Sequence, residues 1–419
     1  MHKAIVIGGG LAGVTTAYEL ARRGYRTLLI EGRKSVALGT SYANGSILTP
    51  SMADPWNSPG VHRHLATSFF DPHSAIKLRL CALPSLVGWG ARFLRNSSRE
   101  RYLAATLANF LLARYSVEKM REVRKQVRLN YDCGDIGTLK VFHERSALEA
   151  SLAVAEKLGH SGLRFEFLDS DRTIALEPAL IEIRDQIVGA LRFPDDESGD
   201  ARVFCEELTT EIRRLGGQIL TDSIVREIRI EKGAISGVDC GNHTESADLV
   251  VVASGISSVA LLKKFGINLP IRPAKGYSVT FDTHAVEGTP TIPIVDDAHH
   301  AAVVPLGNRL RVAGTAEFAG NDLKISPARI DGLFRILSAL LPQISTQLSV
   351  TSGQPWAGLR PMSADGSPFI GQASLPGLYI NTGHGHLGWT MAMGSAYLLA
   401  DLIDGQSPEI DPEFYRVAR

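Results

Sequence analysis

Gly8, Gly10 and Gly13 stand at the spacing G-x-G-x-x-G, and Glu31 follows a short way beyond them. Those residue types in that order can hold a dinucleotide. Gly8 permits a tight strand-to-helix turn, Gly10 lets a pyrophosphate approach the backbone, and Gly13 lets the helix pack closely on the strand. The helix start then offers free N–H groups and a partial positive charge to the phosphates. Glu31 can accept hydrogen bonds from both hydroxyls of an adenosine ribose and would repel a 2′-phosphate, which disfavours a cofactor of the NADP type.

The elements that must position these residues are legible around them. Lys3–Ile7 is a short β-branched run suited to a strand buried on both faces. Leu11, Val14, Ala17, Tyr18, Leu20 and Ala21 recur at helical spacing until Gly24, and Arg26–Ile30 forms a second strand ending at Glu31. Ala247–Ala253, followed by Ser254 and Gly255, reads as another buried strand ending in small residues. Thr221–Ile230 alternates as a strand, and Gly371–Thr382 runs into the glycine-rich Gly383–Gly388 before a helical pattern over Trp389–Ile403. This second glycine-rich turn again aims backbone N–H groups at an electron-rich partner.

A chain of 419 residues is too long for one ordinary core, and two or three units of about 150 residues are expected. Its 44% hydrophobic and 21% charged residues exclude disorder, collagen and coiled coil. Forty-four basic residues against forty-four acidic ones leave no net charge, which argues against a dedicated nucleic-acid binder. Cys81, Cys133, Cys205 and Cys240 form no CxxC pair, so buried free thiols are expected. No apolar run reaches the length of a membrane span. The N-terminal apolar stretch, broken by glycines, lacks the pattern of a signal peptide. The chain is expected to begin in its fold and to be cytoplasmic, or peripheral on the cytoplasmic face of the inner membrane.

Further segments carry a resemblance. Gly39-Thr40-Ser41-Tyr42-Ala43-Asn44-Gly45-Ser46, Asp54-Pro55-Trp56, Gly137-Thr138-Leu139-Lys140, Lys275-Gly276-Tyr277-Ser278 and Ala313-Gly314-Thr315-Ala316-Glu317-Phe318 recur along the chain. Gly358-Leu359-Arg360-Pro361-Met362 and Asn381-Thr382-Gly383-His384-Gly385-His386-Leu387-Gly388-Trp389-Thr390 are the most specific. Together they resemble the D-amino-acid dehydrogenase branch of the D-amino-acid oxidase-like FAD-dependent oxidoreductases, over nearly the full length.

The resemblance implies an α/β fold: a doubly wound, Rossmann-like FAD-binding domain in segments 1–60, 196–270 and 356–419. A substrate domain of α+β type, built on an antiparallel sheet, would take 61–195 and 271–355, with helices at 84–125 and 326–341. FAD would lie against Gly8, Gly10, Leu11, Ala12, Gly13, Glu31, Gly32 and Arg33, then Thr40, Ser41, Ala43, Asn44 and Gly45. Val225 would lie by the adenine, Ala253, Ser254 and Gly255 in the crevice, and Gly383, His384, Gly385, Leu387, Gly388 and Thr390 about the ring.

Hydride removal from an amino-acid Cα to flavin N5 needs chiefly a neutral amine, a correctly aimed C–H and a held carboxylate. A bidentate grip on a carboxylate points to arginine, and Arg360 matches the family's carboxylate-binding position. His386 departs from the family pattern; it either faces the substrate or fixes loop backbone, while His384 braces the flavin loop. Asn44 either reaches the ring or forms an Asx-type turn. Tyr277 either places its hydroxyl in the pocket or lies on the outward face of a strand. Asp296, Asp297, His299 and His300 read as a polar loop and not as a metal site, because adjacent strand residues point to opposite faces.

The resulting expectation is oxidation of a D-amino acid, with electrons passed to a quinone or other carrier. A hydroxy-D-proline or N-alkyl amino-acid dehydrogenase or oxidase of the same fold is the close alternative. An NAD-linked dehydrogenase and a non-catalytic flavin-binding protein are the more distant ones. Leu78–Leu94, flanked by Arg79, Arg92 and Arg95, is either a buried helix start or a patch for peripheral contact with a membrane or redox partner.

Overall fold

The computed structural model describes residues 2–62, 76–79 and 82–419. Leu80 and Cys81, part of the apolar stretch singled out above, lie outside the described residues.

The β-branched run at the start builds the centre of a six-stranded sheet. Lys3–Ile7 is flanked by Leu249–Val252 and Arg26–Ile30, all parallel. Leu378–Thr382 and Gln218–Leu220 extend the sheet on either side, and Phe369–Gln372 closes one edge antiparallel. Both faces are covered, as a continuous apolar strand requires. On one face the helices Leu11–Arg22, Arg99–Gln126, Ala201–Arg214 and Ala392–Ile403 share a single core with Val6, Leu29 and Val251. On the other, Ile5, Ile30 and Val250 pack with Ile228, Ile235 and Val238 of a small three-stranded sheet.

The second unit is a larger sheet. Gln354–Ser363, Ile271–Asp282, Arg309–Phe318, Ala301–Leu306, Ile294–Asp296, Thr138–Phe142, Gly189–Phe193 and Glu166–Leu168 follow one another across it. Most neighbours are antiparallel. Ile294–Asp296 with Thr138–Phe142, and Ile76–Leu78 with Arg309–Phe318, are parallel. One face buries Tyr277, Val279, Phe281, Leu310 and Val312 against the helix Pro327–Leu340.

Three boundaries differ from the sequence expectation. Gln354–Ser363 pairs along its length with Ile271–Asp282, so the strand bearing Arg360 belongs to the large sheet and not to a segment starting at 356. The expected helix 84–125 is two helices, Leu83–Arg95 and Arg99–Gln126. Between them the Asn96 side chain adds a hydrogen bond to Arg92 O, which still accepts from Asn96 N, while Ser97 N and Oγ both donate to Leu94 O, an i→i−3 turn that ends the first helix. The longer of the two joins the dinucleotide-binding core. The strand expected over Thr221–Ile230 forms only from Glu227. Asp222 and Ser223 instead donate their backbone N–H groups to Arg33 O and Glu31 O, with Asp222 at φ +51°, which bends the chain over the Glu31 loop.

The helix Leu83–Arg95 is buried along one side only. Trp89 and Phe93 are buried, whereas Val87 is 71% and Leu94 45% exposed.

Candidate active site

The glycine turn is as tight as the motif demands. Gly8 lies at φ +110°, and a Cβ there would meet Ala253 O at 2.8 Å. A Cβ on Gly13 would stand 1.7 Å from Gly8 O, so strand and helix approach closely enough to exclude any side chain. The helix Leu11–Arg22 starts at Gly10 without a side-chain cap. Leu11 N donates to Ser41 Oγ at 3.1 Å, and the following N–H groups of Ala12 and Gly13 remain at an open helix start. Glu31 accepts from Gly9 N at 2.6 Å and from Arg33 N at 2.9 Å, which holds its carboxylate beside the turn. A glycine cradle, a bare helix N-terminus and an acid at the end of the second strand fit the pyrophosphate and ribose of a dinucleotide.

Other expected cofactor residues converge on the same crevice. A Cβ on Gly32 would touch Ile224, and Val225 is part of the adjoining core. Ser254 Oγ lies 3.1 Å from Ser258 Oγ, and Gly255, at φ +58°, accepts from Thr382 Oγ1. Thr40 Oγ1 donates to Leu359 O at 2.7 Å and Ala43 O accepts from Ser278 Oγ at 2.6 Å, so the segment carrying Gly45 is tied to the large sheet at two points.

The C-terminal turn folds over this crevice. Gly383 and Gly385 take positive φ, +84° and +59°, Leu387 is buried, and Gly388 lets the chain enter the last helix. Thr390 Oγ1 accepts from Thr49 N at 3.0 Å. His384 Nε2 lies 3.2 Å from Ser395 Oγ, whose own proton goes to Ala392 O, so the imidazole must be the donor. Burial holds its pKa down at about 4, and His384 braces the loop as a neutral side chain.

Arg360 is placed by the large sheet. It stands opposite Ala274, and its guanidinium lies across Gly276, where an added Cβ would be 2.5 Å from the guanidinium carbon. Nη1 donates to Thr315 O at 2.9 Å, and the guanidinium also lies over the ring of Trp56, 5.6 Å from its centroid. Among the described residues no carboxylate pairs with it. Burial without a counter-charge lowers its pKa to about 10. Such a cation is costly to leave unpaired and is therefore set up to receive an anion.

His386 stacks on the same ring, with 5.4 Å between centroids and 22° between planes. Burial lowers its pKa to about 4; Asp54 opposes this, Arg360 adds to it, and a backbone hydrogen bond at Met52 opposes it again. The imidazole is neutral near pH 7 and can accept a proton or a hydrogen bond.

Two candidates fall elsewhere. Asn44 Oδ1 accepts from Ser46 N at 3.1 Å, the Asx-type turn that carries Ser46 at φ +59°. Tyr277 is a correction: it lies on the sheet face opposite Arg360, in the second core, and its hydroxyl donates to Glu317 Oε2 at 2.6 Å. Strand alternation forces this, because Gly276 and Ser278 face the dinucleotide-binding unit and the residue between them cannot. Sequence reasoning assigned no role to Trp56, Gly276 or Thr315. All three stood in the resembling segments, and a glycine between buried strand residues is the usual mark of a close approach.

A glycine turn of the dinucleotide-binding kind stands at the head of this chain, and residues 3–402 match the family model described as DAO: FAD dependent oxidoreductase. The chain belongs to this family and is an FAD-dependent oxidoreductase. More particularly, it is 37% identical over 417 residues to the D-amino acid dehydrogenase of Rhizobium johnstonii, covering 100% of this chain and 99% of the relative. The D-amino acid dehydrogenase of Cereibacter sphaeroides is 37% identical over 409 residues, covering 98% and 93%. Among solved structures, L-proline dehydrogenase from P. horikoshii shares the fold with a TM-score of 0.78 at 19% identity, covering 100% of this chain and 97% of that one. Glycine oxidase from Bacillus cereus does so with a TM-score of 0.75 at 23% identity, covering 97% and 96%.

Proposed function

We propose that this protein binds FAD and oxidises a D-amino acid at Cα to the imine, which water then hydrolyses to a keto acid and ammonia. The observation that carries the reading is the guanidinium of Arg360, without a carboxylate partner among the described residues, against the same Trp56 ring as neutral His386. FAD, when bound, would supply the hydride acceptor for the Cα–H, and a quinone or other carrier would take up the electrons. The chain's own residues do the positioning. Arg360 receives the substrate carboxylate through the N–H groups not engaged by Thr315 O. His386 accepts a hydrogen bond from the substrate amine or takes its proton, and Trp56 keeps water from the pair. Gly10–Gly13 would hold the pyrophosphate and Glu31 the ribose.

A quinone in a membrane would be reached by peripheral contact. Among the described residues no helix is long and apolar enough to cross a membrane. The exposed Val87 and Leu94 beside Arg92 and Arg95 are the surface we assign to that contact.

The experiment is anaerobic bleaching of the flavin by a panel of D- and L-amino acids, D-prolines and sarcosine, repeated with Arg360→Ala. Burial of a paired carboxylate implies a loss of about 3–5 kcal/mol in the variant, about 10²–10³-fold or more in kcat/KM. A near-normal kcat/KM would remove Arg360 from the site. Preference for an L-enantiomer would overturn the stereochemical assignment, and preference for hydroxy-D-proline or sarcosine would shift the substrate to a secondary amine.

A further inference from the structure

We propose that Glu317 is a positioning residue for Arg360, acting from the far face of the large sheet by clamping both neighbours of the glycine over which the guanidinium lies. The inference rests on the reading that Arg360 receives the substrate carboxylate.

The geometry is that of a bulge with a brace behind it. In the pairing of Ile271–Asp282 with Arg309–Phe318 the register shifts between Lys275 and Tyr277. Lys275 stands opposite Glu317 and Tyr277 opposite Gly314, so Thr315 and Ala316 together oppose Gly276 alone. Thr315 takes φ +58°, a region a β-branched residue rarely enters, and its Oγ1 is buried without a hydrogen-bond partner among the described residues. That conformation turns Thr315 O to Arg360 Nη1. Surroundings that over-determine the backbone are needed to keep a threonine there.

Glu317 supplies them. It is fully buried, and its Oε2 accepts from Tyr277 OH at 2.6 Å and lies 3.4 Å from Lys275 Nζ. Arg79 binds the other carboxylate oxygen. Lys275 is held in turn by Asp322 at 3.1 Å and by Lys324 O at 3.1 Å. Although burial alone would raise the Glu317 pKa, the hydrogen bonds from Tyr277 and Arg79 and the charge of Lys275 hold it below its ordinary value. Glu317 therefore stays ionised and pins Lys275 and Tyr277 on one face while Gly276 and Thr315 O present a fixed seat to Arg360 on the other. Lys275, Tyr277 and Glu317 share the sheet face opposite to that of Arg360.

The test uses holoenzyme carrying Glu317→Gln and, separately, Tyr277→Phe. Three quantities are read: KM and kcat for the preferred amino acid, the Kd of pivalate (a carboxylate with no α-hydrogen to lose) from the flavin spectrum, and Tm. A loosened seat raises KM and the pivalate Kd about 10-fold in Glu317→Gln and about 3-fold in Tyr277→Phe, with kcat within about 2-fold. Wild-type KM and pivalate Kd in either variant would overturn the proposal, whatever Tm does. Should Glu317→Gln fail to fold, Tyr277→Phe, which removes one oxygen, decides alone. Arg360→Ala separates the two ideas. Retained pivalate affinity there defeats the carboxylate reading itself, whereas affinity lost there but kept in both brace variants defeats only the brace.

Discussion

The guanidinium of Arg360 occupies the space a side chain at Gly276 would fill: an added Cβ would lie 2.5–2.6 Å from its carbon and both terminal nitrogens. Gly276 is required for room and not for backbone freedom, since its φ is not positive. Gly276→Ala should therefore fold normally and displace the guanidinium. The expected result is a rise in KM of at least about 10-fold with Tm changed by about 2 °C or less, checked by steady-state kinetics and thermal melting. Unchanged KM would mean that Arg360 does not work from the observed seat.

Trp56 carries both His386 and Arg360 on its ring. Trp56→Ala removes a cation–π contact of about 0.5–1 kcal/mol and opens the pair to water. KM should rise about 2–5-fold, and the His386 pKa should move up toward its ordinary value as its desolvation is relieved. A pH profile of kcat/KM reads the second effect, and a profile identical to wild type would argue against it. Trp56→Phe should keep most of the wild-type behaviour.

Two buried groups couple stability to pH with opposite signs. Burial lowers His384 to about 4, so its contribution is full above the unfolded value near 6.5 and is lost as pH falls toward 4. Burial raises Asp196 to about 7 despite hydrogen bonds from Ser51 and Thr138, so its contribution is full below about 4 and is lost as pH rises through 7. Asp196→Asn removes only the second dependence. Its Tm relative to wild type should climb steadily from pH 4 to pH 7, by about several degrees, whereas a constant difference would show that Asp196 titrates normally.

At the cradle, steric room and charge are separable. Gly13→Ala sets a methyl 1.7 Å from Gly8 O and should yield protein with little or no flavin absorbance per polypeptide. Glu31→Gln keeps the shape but weakens the acceptor at Gly9 and Arg33, and should lower FAD affinity about 10-fold while the chain still folds. Ultrafiltration at graded FAD concentrations measures both.

Much of the fold was legible because the signals were local. Lys3–Ile7 and Arg26–Ile30 are largely apolar runs with glycines close by in sequence, and the helix after Gly10 follows from periodicity over one segment. Where the reading erred, a long-range contact decided. The bend at Asp222 exists because Arg33 O and Glu31 O take the N–H groups that would have continued a strand. The helix Arg99–Gln126 joined the dinucleotide-binding core because Phe110, Leu112 and Val117 found the last helix, far away in sequence.

The candidate site divides in the same way. Glycine spacing, the acid at Glu31 and the Gly-Leu-Arg-Pro setting of Arg360 are properties of residue type and order, so the sequence by itself determined the glycine turn and the family resemblance, and singled out Arg360 as the arginine proposed for the carboxylate. Only the tertiary structure decided that Tyr277 turns away from Arg360, that Asn44 closes its own turn, and that Trp56 underlies both His386 and the guanidinium. The physical reason is that face, register and bulge are set by pairing between strands distant in the chain, and one shifted residue in such a pairing changes which side chains meet.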